Sequence, residues 1–495
     1  MRVILATGLV LAVSAAASAQ TLYVNGSTGN DSIARSQNSA SNPWRTIGRA
    51  VWGSTNRSSP NANEAARAGD TVQVAGGVYS YTGSVNDRFS VVYSTVNQGS
   101  ANNYITISCV GTCTLTAPNA NSPVIGASGR DYVKWFANVA QGHAWVIQAC
   151  GRLSGCGANV VNTTADTGPV VCHYNTGCWV EGAVIDGGAG IDYRDNWNAV
   201  RIENCTSCVI RNNSMANFTR DQVAGDTNHN QSIITMYGTR NSIIEHNVGS
   251  NAGAGVYFKD TDTTNPQSGN IVRFNRFDRV NEVIAFSIVN ENRNYVYQNV
   301  GTNGRIGLAV VNGGLSNDWV FNNTFYRMSI AATTPNGSGS GGRFWNNICV
   351  ECQAVIMTSG GSMPSDNVFD MEHNVYYSYS QFYLGGDGTR SFASFRSAYP
   401  DQEQTSPASM DGNPLFVNAA GGDFRLCTGA GTPAASCSGA SPAMGRAMDL
   451  YDLDHDGSTT DTVRSGAYID NTEVIGITSP LPPAPTGLRV VVSGQ

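Results

Sequence analysis

A short apolar segment ending in asparagine recurs between residues 210 and 374 and constrains the fold more than any other feature. It reads IRNN at 210–213 and IEHN at 244–247, then returns as VRFN, VYQN, VFNN, FWNN and MEHN. Three successive steps are 24 residues long, and the other steps are longer. A period of this length is typical of a solenoid in which each repeat forms one coil. The asparagines in register are Asn213, Asn247, Asn275, Asn299, Asn323, Asn347 and Asn374.

Short β segments around a turn asparagine predict a parallel β-helix. Asparagine tolerates the left-handed (αL) conformation, and stacked amides can hydrogen-bond along the stack. We therefore expect these asparagines to occupy αL positions in a ladder. Ordinary loop asparagines are the alternative, which seven copies in register disfavour.

The two ends of the chain read as caps on this solenoid. The segments at 21–32, 42–52 and 68–80 predict a strand, a short amphipathic helix near 45–52 and a first coil that cover one open end. The segments from DGNPLFV to SGAYIDN read as an irregular closing segment, and SPLPPAPTGL begins a Pro-rich linker. The predicted organisation is a signal peptide at 1–19, a β-helix domain with caps at 20–478 and a tail at 479–495.

The N-terminus and the cysteines predict export. MRVILATGLVLAVSAAASAQ has one basic residue, a short apolar run and an A-x-A motif before Gln20, as a secretory signal peptide does. The twelve cysteines fall into close pairs, which predicts six local disulfides in an oxidising compartment, extracellular or periplasmic. Each of the two C-x-x-C pairs could instead supply two ligands of a zinc site. The pairs are Cys109/Cys113, Cys150/Cys156, Cys172/Cys178, Cys205/Cys208, Cys349/Cys352 and Cys427/Cys437.

Net charge excludes some partners. A formal charge of -7 and a pI near 5.4 argue against nucleic acid, which needs a basic surface. After the signal peptide, no stretch has the roughly 18 uninterrupted apolar residues of a membrane helix. An acidic polymer would have to meet a local positive site or a bound metal ion.

The chain resembles a group of secreted bacterial proteins. YVNGSTGNDS, NPWRTIGRAV, GDTVQVAGGVY, the asparagine coils and the closing NPLFVN, GDFRL and SPAMG are similar to right-handed parallel β-helix proteins. Within that group, the chain resembles polysaccharide lyases of pectate lyase family nine and alginate and chondroitin lyases of family six. The resemblance implies an all-β fold and an acidic polysaccharide substrate such as pectate, alginate or a glycosaminoglycan, and we expect a monomer.

Alternation along the coil strands predicts one outward strip. In VRIE and GVYFK, alternate apolar residues suit the interior, and the register of SIITMY is ambiguous without its neighbours. The polar part of the strip contains Arg201, Glu203, Thr235, Tyr237, Tyr257 and Lys259. Beyond Lys259 the strip residues are small and apolar at Ala285, Ser287, Ala309 and Val311. A polar, aromatic patch above such a flat floor is a surface on which an extended sugar chain could lie.

The chain has only two lysines, Lys134 and Lys259, and only Lys259 falls on the strip. In the lyases that the chain resembles, a lysine on such a strip removes the proton at C5 of a uronate, which requires the neutral amine and hence a lowered pKa. Arg201 or Arg220 would supply a second positive group. Tyr257 joins the predicted catalytic set, and Glu203, Tyr237 and Arg220 the predicted substrate contacts. An exposed strand-end lysine is the alternative reading of Lys259.

Four aspartates upstream of the lysine suggest calcium, which prefers oxygen ligands. Calcium would neutralise the uronate carboxylate and stabilise the enolate-like transition state. Turn residues in a Gly- and Asn-rich chain are the alternative. DLDHDG at 452–457 resembles a separate structural calcium loop, although Val463 stands where an EF-hand has glutamate. The four aspartates are Asp192, Asp195, Asp221 and Asp226.

Two other functions fit the same scaffold. A glycoside hydrolase needs two facing carboxyl groups, and a non-catalytic carbohydrate-binding or surface protein needs neither base nor metal. His229 and His246 are further acid or base candidates, although a histidine beside a turn is usually structural. The carboxyl groups available to a hydrolase are Glu203, Asp260, Asp262 and Glu282.

Overall fold

Parallel pairing between strands of successive coils builds the molecule. The computed structural model describes residues 18–80, 95–116, 124–148, 160–161, 168–188, 192–193, 197–219, 231–259, 266–288, 291–334, 339–358, 361–403 and 405–478. Most of its strands belong to one continuous hydrogen-bonded system that wraps into three parallel sheets. This arrangement confirms the predicted right-handed parallel β-helix.

Each coil contributes to sheets 1, 2 and 3 in turn. The first coils pair Thr21–Val24, Thr71–Ser80 and Ile105–Thr116. Sheet 1 contains Val133–Ala137, Trp179–Glu181, Val209–Arg211, Ile243–Glu245, Ile271–Arg273, Tyr295–Tyr297, Trp319–Phe321, Gly342–Trp345 and Phe369–Glu372. Sheet 2 contains Ala144–Gln148, Ala183–Asp186, Ser214–Phe218, the first halves of Val248–Lys259 and Arg276–Ile288, Val300–Thr302, Thr324–Tyr326, Ile348–Val350, Val375–Tyr377 and Met410–Asp411.

Sheet 3 carries the predicted strip. It contains Ile125–Ser128, Val170–Thr176, Val200–Thr206, Ser232–Tyr237, the second halves of Val248–Lys259 and Arg276–Ile288, Ile306–Gly313, Ile330–Thr333, Ala354–Met357 and Gln381–Gly385, with Gly388–Arg390 antiparallel at its end. The short pairs outside the three sheets are Val160–Val161 with Asp192–Tyr193, Gln267–Ser268 with Glu291–Asn292, Phe416–Asn418 with Asp423–Leu426, and Ala447–Met448 with Thr462–Val463.

The predicted asparagine ladder lies at the turn between sheets 1 and 2. From Asn213 to Asn347, each side-chain amide donates to the side-chain oxygen of the asparagine in the next coil, at distances from 2.9 to 3.3 Å. All seven asparagines are buried. The prediction that the ladder asparagines adopt the αL conformation is wrong. The αL residue is the one before each ladder asparagine, for example Phe274 at φ 55° and Gln298 at φ 52°. That residue turns the chain, so the following amide points into the stack.

A second ladder lies between sheets 3 and 1 and was not predicted. Asn270 donates to Asn294 at 2.8 Å, and Asn294 donates to Asp318 at 2.9 Å through their side chains. Burial raises the pKa of Asp318 to about 6 although three hydrogen bonds favour its charged form. The ladder therefore ends on a carboxyl group whose charge is costly.

The closing segment does more than cover an end. Residues 448–478 run back along the turn between sheets 1 and 2 and hydrogen-bond to the αL residues there. Such contacts fasten coils that are far apart in sequence. They join Asn346 to Met448, Asn322 to Arg464, Gln298 to Glu473, Phe274 to Gly476 and Asn212 to Thr478.

Helices lie at both ends of the described solenoid. Ile47–Trp52 begins where the Thr46 side chain accepts a hydrogen bond from the Arg49 backbone, which confirms the predicted N-terminal helix. A second helix, Phe392–Ala398, was not predicted and packs Phe395 against Phe382 of the last coil. The 3₁₀ turns are Arg35–Gln37, Val139–Gln141 and Ala419–Gly421. Among the described residues, no helix is long and apolar enough to cross a membrane.

Five of the six predicted disulfides are present: Cys109–Cys113, Cys172–Cys178, Cys205–Cys208, Cys349–Cys352 and Cys427–Cys437. The sixth predicted pair, Cys150 and Cys156, and most of the predicted signal peptide and tail lie outside the described residues. The two C-x-x-C pairs are thus disulfides, and the zinc alternative does not apply to them.

Replacing Asn323 with alanine should lower the free energy of unfolding by about 2–4 kcal/mol, because the donors and acceptors it leaves behind are buried without partners. Its amide donates to Val296 and Asn347, and its oxygen accepts from Asn299. Urea unfolding followed by circular dichroism measures the loss. The control is Asn63→Ala, since Asn63 is an exposed asparagine outside the ladder. Equal stability of the two variants would contradict a stabilising ladder.

Candidate functional site

The strand register on sheet 3 aligns the predicted strip. Arg201 lies level with Thr235, and Thr235 with Tyr257. Glu203 lies level with Tyr237, two register pairs beyond Arg201 and Thr235. The apolar residues between them face the main core, where Val256 and Phe258 are fully buried. The ambiguous register of SIITMY is therefore resolved with Ile234 and Met236 inside.

Beyond Lys259 the strip differs from the prediction. Lys259 lies level with Ser287, but a bulge after Phe286 places Ser287 level with Asn312 and not with Val311. Ala285, Ser287 and Ala309 are each exposed by 2% or less. The expected flat, accessible floor is therefore a packed surface.

Tyr257 belongs to that packed surface. It faces outward from the coil, yet only 2% of it is exposed, and it clusters with apolar residues. Its predicted catalytic role stays a prediction, and its burial favours a packing role. The cluster contains Ala254, Ala285, Ile306, Ala309, Ile330 and Ala354.

Arg201 and Glu203 form a charged pair at the centre of the strip. Arg201 Nε donates to Glu203 Oε2 at 2.9 Å, and Nη2 lies 2.9 Å from the same oxygen. His173 Nε2 lies 3.3 Å from Glu203 Oε1. Burial alone would raise the pKa of Glu203, but the hydrogen bond from His173 and the charge of Arg201 lower it to about 2. Glu203 is thus ionised at neutral pH and unsuited to be the general acid of a hydrolase.

Tyr237 connects this pair to Lys259. The Arg201 guanidinium carbon lies 4.3 Å from the centroid of the Tyr237 ring. Lys259 Nζ lies 5.5 Å from the same centroid and 5.9 Å from that of Tyr257. One aromatic ring therefore contacts two cations from different coils, an arrangement that cation–π attraction stabilises. Lys259 itself is half-buried.

The second lysine lies elsewhere. Lys134 is on sheet 1, with Nζ 3.8 Å from the centroid of the Trp179 ring. Burial lowers its pKa, against the opposing charge of Glu181. Lys134 is therefore a stacked structural lysine outside the strip, and it provides a matched control for Lys259.

The predicted calcium ligands are largely beyond what the structure describes. Asp195, Asp221 and Asp226 lie outside the described residues, as do Arg220, His229, Asp260 and Asp262. Asp192 pairs through its backbone with Val160. Calcium at the strip stays a prediction.

Two further predictions concern residues that the structure places away from the strip. His246 lies at the turn between sheets 1 and 2, where its Nδ1 is 3.0 Å from the Val474 carbonyl of the closing segment, and this contact is structural. In the DLDHDG loop, carboxylate oxygens of Asp454, Asp456 and Asp461 lie within 4.8 Å of one another. This proximity is compatible with the predicted structural calcium loop, although exposed acidic groups often cluster without an ion.

His173 was missed by sequence reasoning. Its strand, Val170–Thr176, belongs to the coil before the one that carries the first ladder asparagine, so the repeat did not place it in register. Aligning VVCHY at 170–174 with VRIEN at 200–204 would have found it, because His173 lies level with Glu203.

Comparison with known proteins finds similar solved structures. No protein-family model matches the chain, and no curated protein does so. Solved structures similar to it include pectate lyase Pel9A at 13% identity, with a TM-score of 0.44 and coverage of 92% of this chain and 97% of that chain. A complex of XylC with xylose matches at 11% identity, with a TM-score of 0.40 and coverage of 74% and 86%.

A third similar structure is a mannuronic acid specific family 6 polysaccharide lyase from human gut microbiota, at 11% identity, with a TM-score of 0.34 and coverage of 72% and 88%. Lyases of both families that the sequence resembles are thus among the similar structures. Likeness at this level concerns the fold and does not identify the reaction.

Replacing Glu203 with glutamine should lower the free energy of unfolding at pH 7 by about 1–3 kcal/mol, since a neutral amide leaves Arg201 without its charged partner. The folded-state pKa lies below the ordinary 4.5, so this contribution is present above that pH and is lost as pH falls toward 2. Urea unfolding of both proteins at pH 7 and pH 3 tests it.

The control for this prediction is Glu351→Gln, which breaks an exposed pair with Arg327 and should change stability little. A difference between Glu203→Gln and the unmodified protein that is equal at both pH values would show that the carboxylate charge is not the cause.

Proposed function

We propose that this chain is a secreted polysaccharide lyase that cleaves an acidic, uronate-containing polysaccharide by β-elimination. The observation that carries the proposal is the placement of Lys259 on an outward strip, within 6 Å of two tyrosine rings and one coil from Tyr237. An amine at this position can meet a sugar chain lying along the strip.

Lys259 acts as the base in this proposal. Its neutral amine takes the proton from C5 of a uronate, the electrons of that C–H bond form the C4–C5 double bond, and the bond from C4 to the glycosidic oxygen breaks. The protonated lysine then returns the proton to the leaving oxygen. No water is consumed, so the product carries a double bond at its new non-reducing end.

Arg201 and Glu203 would act mainly by positioning. Arg201 is 6% exposed and is bound to Glu203, so it is poorly placed to leave its pair for a substrate carboxylate. Its guanidinium instead lies on the Tyr237 ring that Lys259 also approaches. We infer that the pair fixes Tyr237, and that Tyr237 in turn fixes the direction of the lysine side chain.

Calcium is the proposed counter-ion for the substrate carboxylate. When bound, it would neutralise the uronate and make its C5 proton more acidic. The proposed ligands remain Asp192, Asp195, Asp221 and Asp226, with Arg220 as a substrate contact.

Replacing Lys259 with alanine should lower the elimination rate by at least about 10²-fold, the usual effect of losing a general base. Lys259→Arg should be nearly as inactive, because a guanidinium stays protonated and cannot accept the proton. The measurement is the ultraviolet absorbance of the unsaturated product during incubation with polygalacturonate, alginate or chondroitin sulfate. Lys134→Arg is the matched control and should retain full activity.

Substantial elimination by Lys259→Arg would make Lys259 only a positive contact and direct the search for the base to Tyr237, Tyr257 or His229. New reducing ends without unsaturated product would favour a glycoside hydrolase. Neither signal on any polymer would favour a non-catalytic binding protein.

Exhaustive chelation should abolish elimination, and added calcium should restore it, if the four aspartates hold a catalytic ion. Magnesium provides the control, because it prefers a smaller octahedral site and should not replace calcium fully. Undiminished turnover after chelation would remove the ion from the mechanism.

A further inference from the structure

The outward surface of sheet 3 continues past Glu203 to an exposed tyrosine. Tyr174 follows His173, which lies level with Glu203 in the strand register. Its side chain is 59% exposed, and its ring centroid lies 4.2 Å from that of His173. A sugar ring presents an apolar face and a polar rim, so an exposed aromatic ring beside polar groups is a suitable partner for it.

The backbone at Tyr174 is held in an uncommon conformation. Its φ is 49°, in the left-handed region that bulky residues rarely occupy. Asn204 is the equivalent residue of the next coil and has φ 47°, but asparagine tolerates this region well. The Cys172–Cys178 disulfide encloses Tyr174 in a short loop. The same conformation recurs at other turns of the solenoid, including Phe274, so it follows from the coil geometry, and here it presents an exposed ring.

Two arginines lie in the direction away from Lys259. Gly129 N donates to the His173 carbonyl at 3.0 Å, which places Arg130 on the adjacent coil. Arg130 and Arg67 line a cavity of about 430 Å³ together with Ala68, Val96, Asn97 and Gln98.

The arginine side chains are held in place around this cavity. Arg130 Nε donates to the Thr95 carbonyl at 2.9 Å, and Arg67 Nη2 donates to the Asn63 carbonyl at 2.7 Å. Fixed guanidinium groups are well suited to contact carboxylates.

We propose that Tyr174 and the cavity of Arg67 and Arg130 form a distal binding site for acidic polysaccharide. Tyr174 stacks on one sugar ring, and the arginines contact a uronate carboxylate beyond it. The assignment of an acidic polysaccharide rests on the proposed function. Tyr174 is three coils from Lys259, or about 14 Å at about 4.8 Å per coil, so this site holds sugars remote from the bond that is broken.

The test is affinity electrophoresis of the intact mature protein in native gels containing polygalacturonate, alginate or chondroitin sulfate, with dextran as the neutral polymer. Tyr174→Ala should weaken binding of the retarding polymer about tenfold, equivalent to about 1.4 kcal/mol. Tyr174→Phe keeps the ring and should bind normally. Arg130→Gln should weaken binding of the acidic polymer. Tyr377→Ala removes a tyrosine that is 38% exposed on sheet 2, and it should have no effect.

Circular dichroism and thermal unfolding of each variant confirm that the fold is retained. Unchanged binding by both Tyr174→Ala and Arg130→Gln would overturn the proposal, as would a protein that none of the acidic polymers retards or that dextran retards equally. Normal binding without any unsaturated product would instead refute the lyase function and leave the binding site in place. Elimination that is unaffected by Tyr174→Ala, together with unchanged binding, would refute only the distal site.

Discussion

The hydrogen bonds between stacked asparagine side chains are the interaction on which the rest of the structure depends. Each amide both donates to the next coil and accepts from the previous one, and all are buried. A displaced coil would leave these groups without partners in an environment where that is costly. The ladder therefore fixes the coils that carry Asn213 to Asn374 relative to one another. Register on the other sheets follows, because a coil that starts in register stays in register until a bulge or an inserted loop.

The outward strip is a consequence of that register. Residues far apart in sequence, such as Glu203 and Tyr237, become neighbours because the strands that carry them are paired. Two cations then approach one tyrosine ring, and one of them is balanced by an ionised glutamate. Lys259 approaches the same ring from the neighbouring coil. The fold thus brings two cationic side chains and one aromatic ring from three coils into one column.

Local pattern was sufficient to predict the coils, the interior side chains and the column of strip residues, since each depends on period and alternation alone. It could not predict burial on the outer face, where Tyr257 and Ala285 pack into an apolar cluster. It also missed the helix Phe392–Ala398, which is short and stabilised by packing against the last coil. His173 and Tyr174 were missed because their coil lies before the asparagine repeat begins. The predicted metal ligands lie mostly outside the described residues.

An acidic protein that binds an acidic polymer must separate its local charge from its net charge. The overall charge of -7 repels a polyanion only weakly at distances beyond about 8–10 Å in physiological salt, where screening is effective. Close to the surface, the arrangement of individual groups matters more. Arg67 and Arg130 lie at one end of the proposed track and Lys259 at the other, with aromatic rings between them. In the proposed arrangement, the carboxylates of the polymer would select the track, while the aromatic rings would select the sugar. A uniformly basic surface would bind any polyanion, whereas a few positive groups on an acidic protein bind only a polymer whose spacing matches theirs.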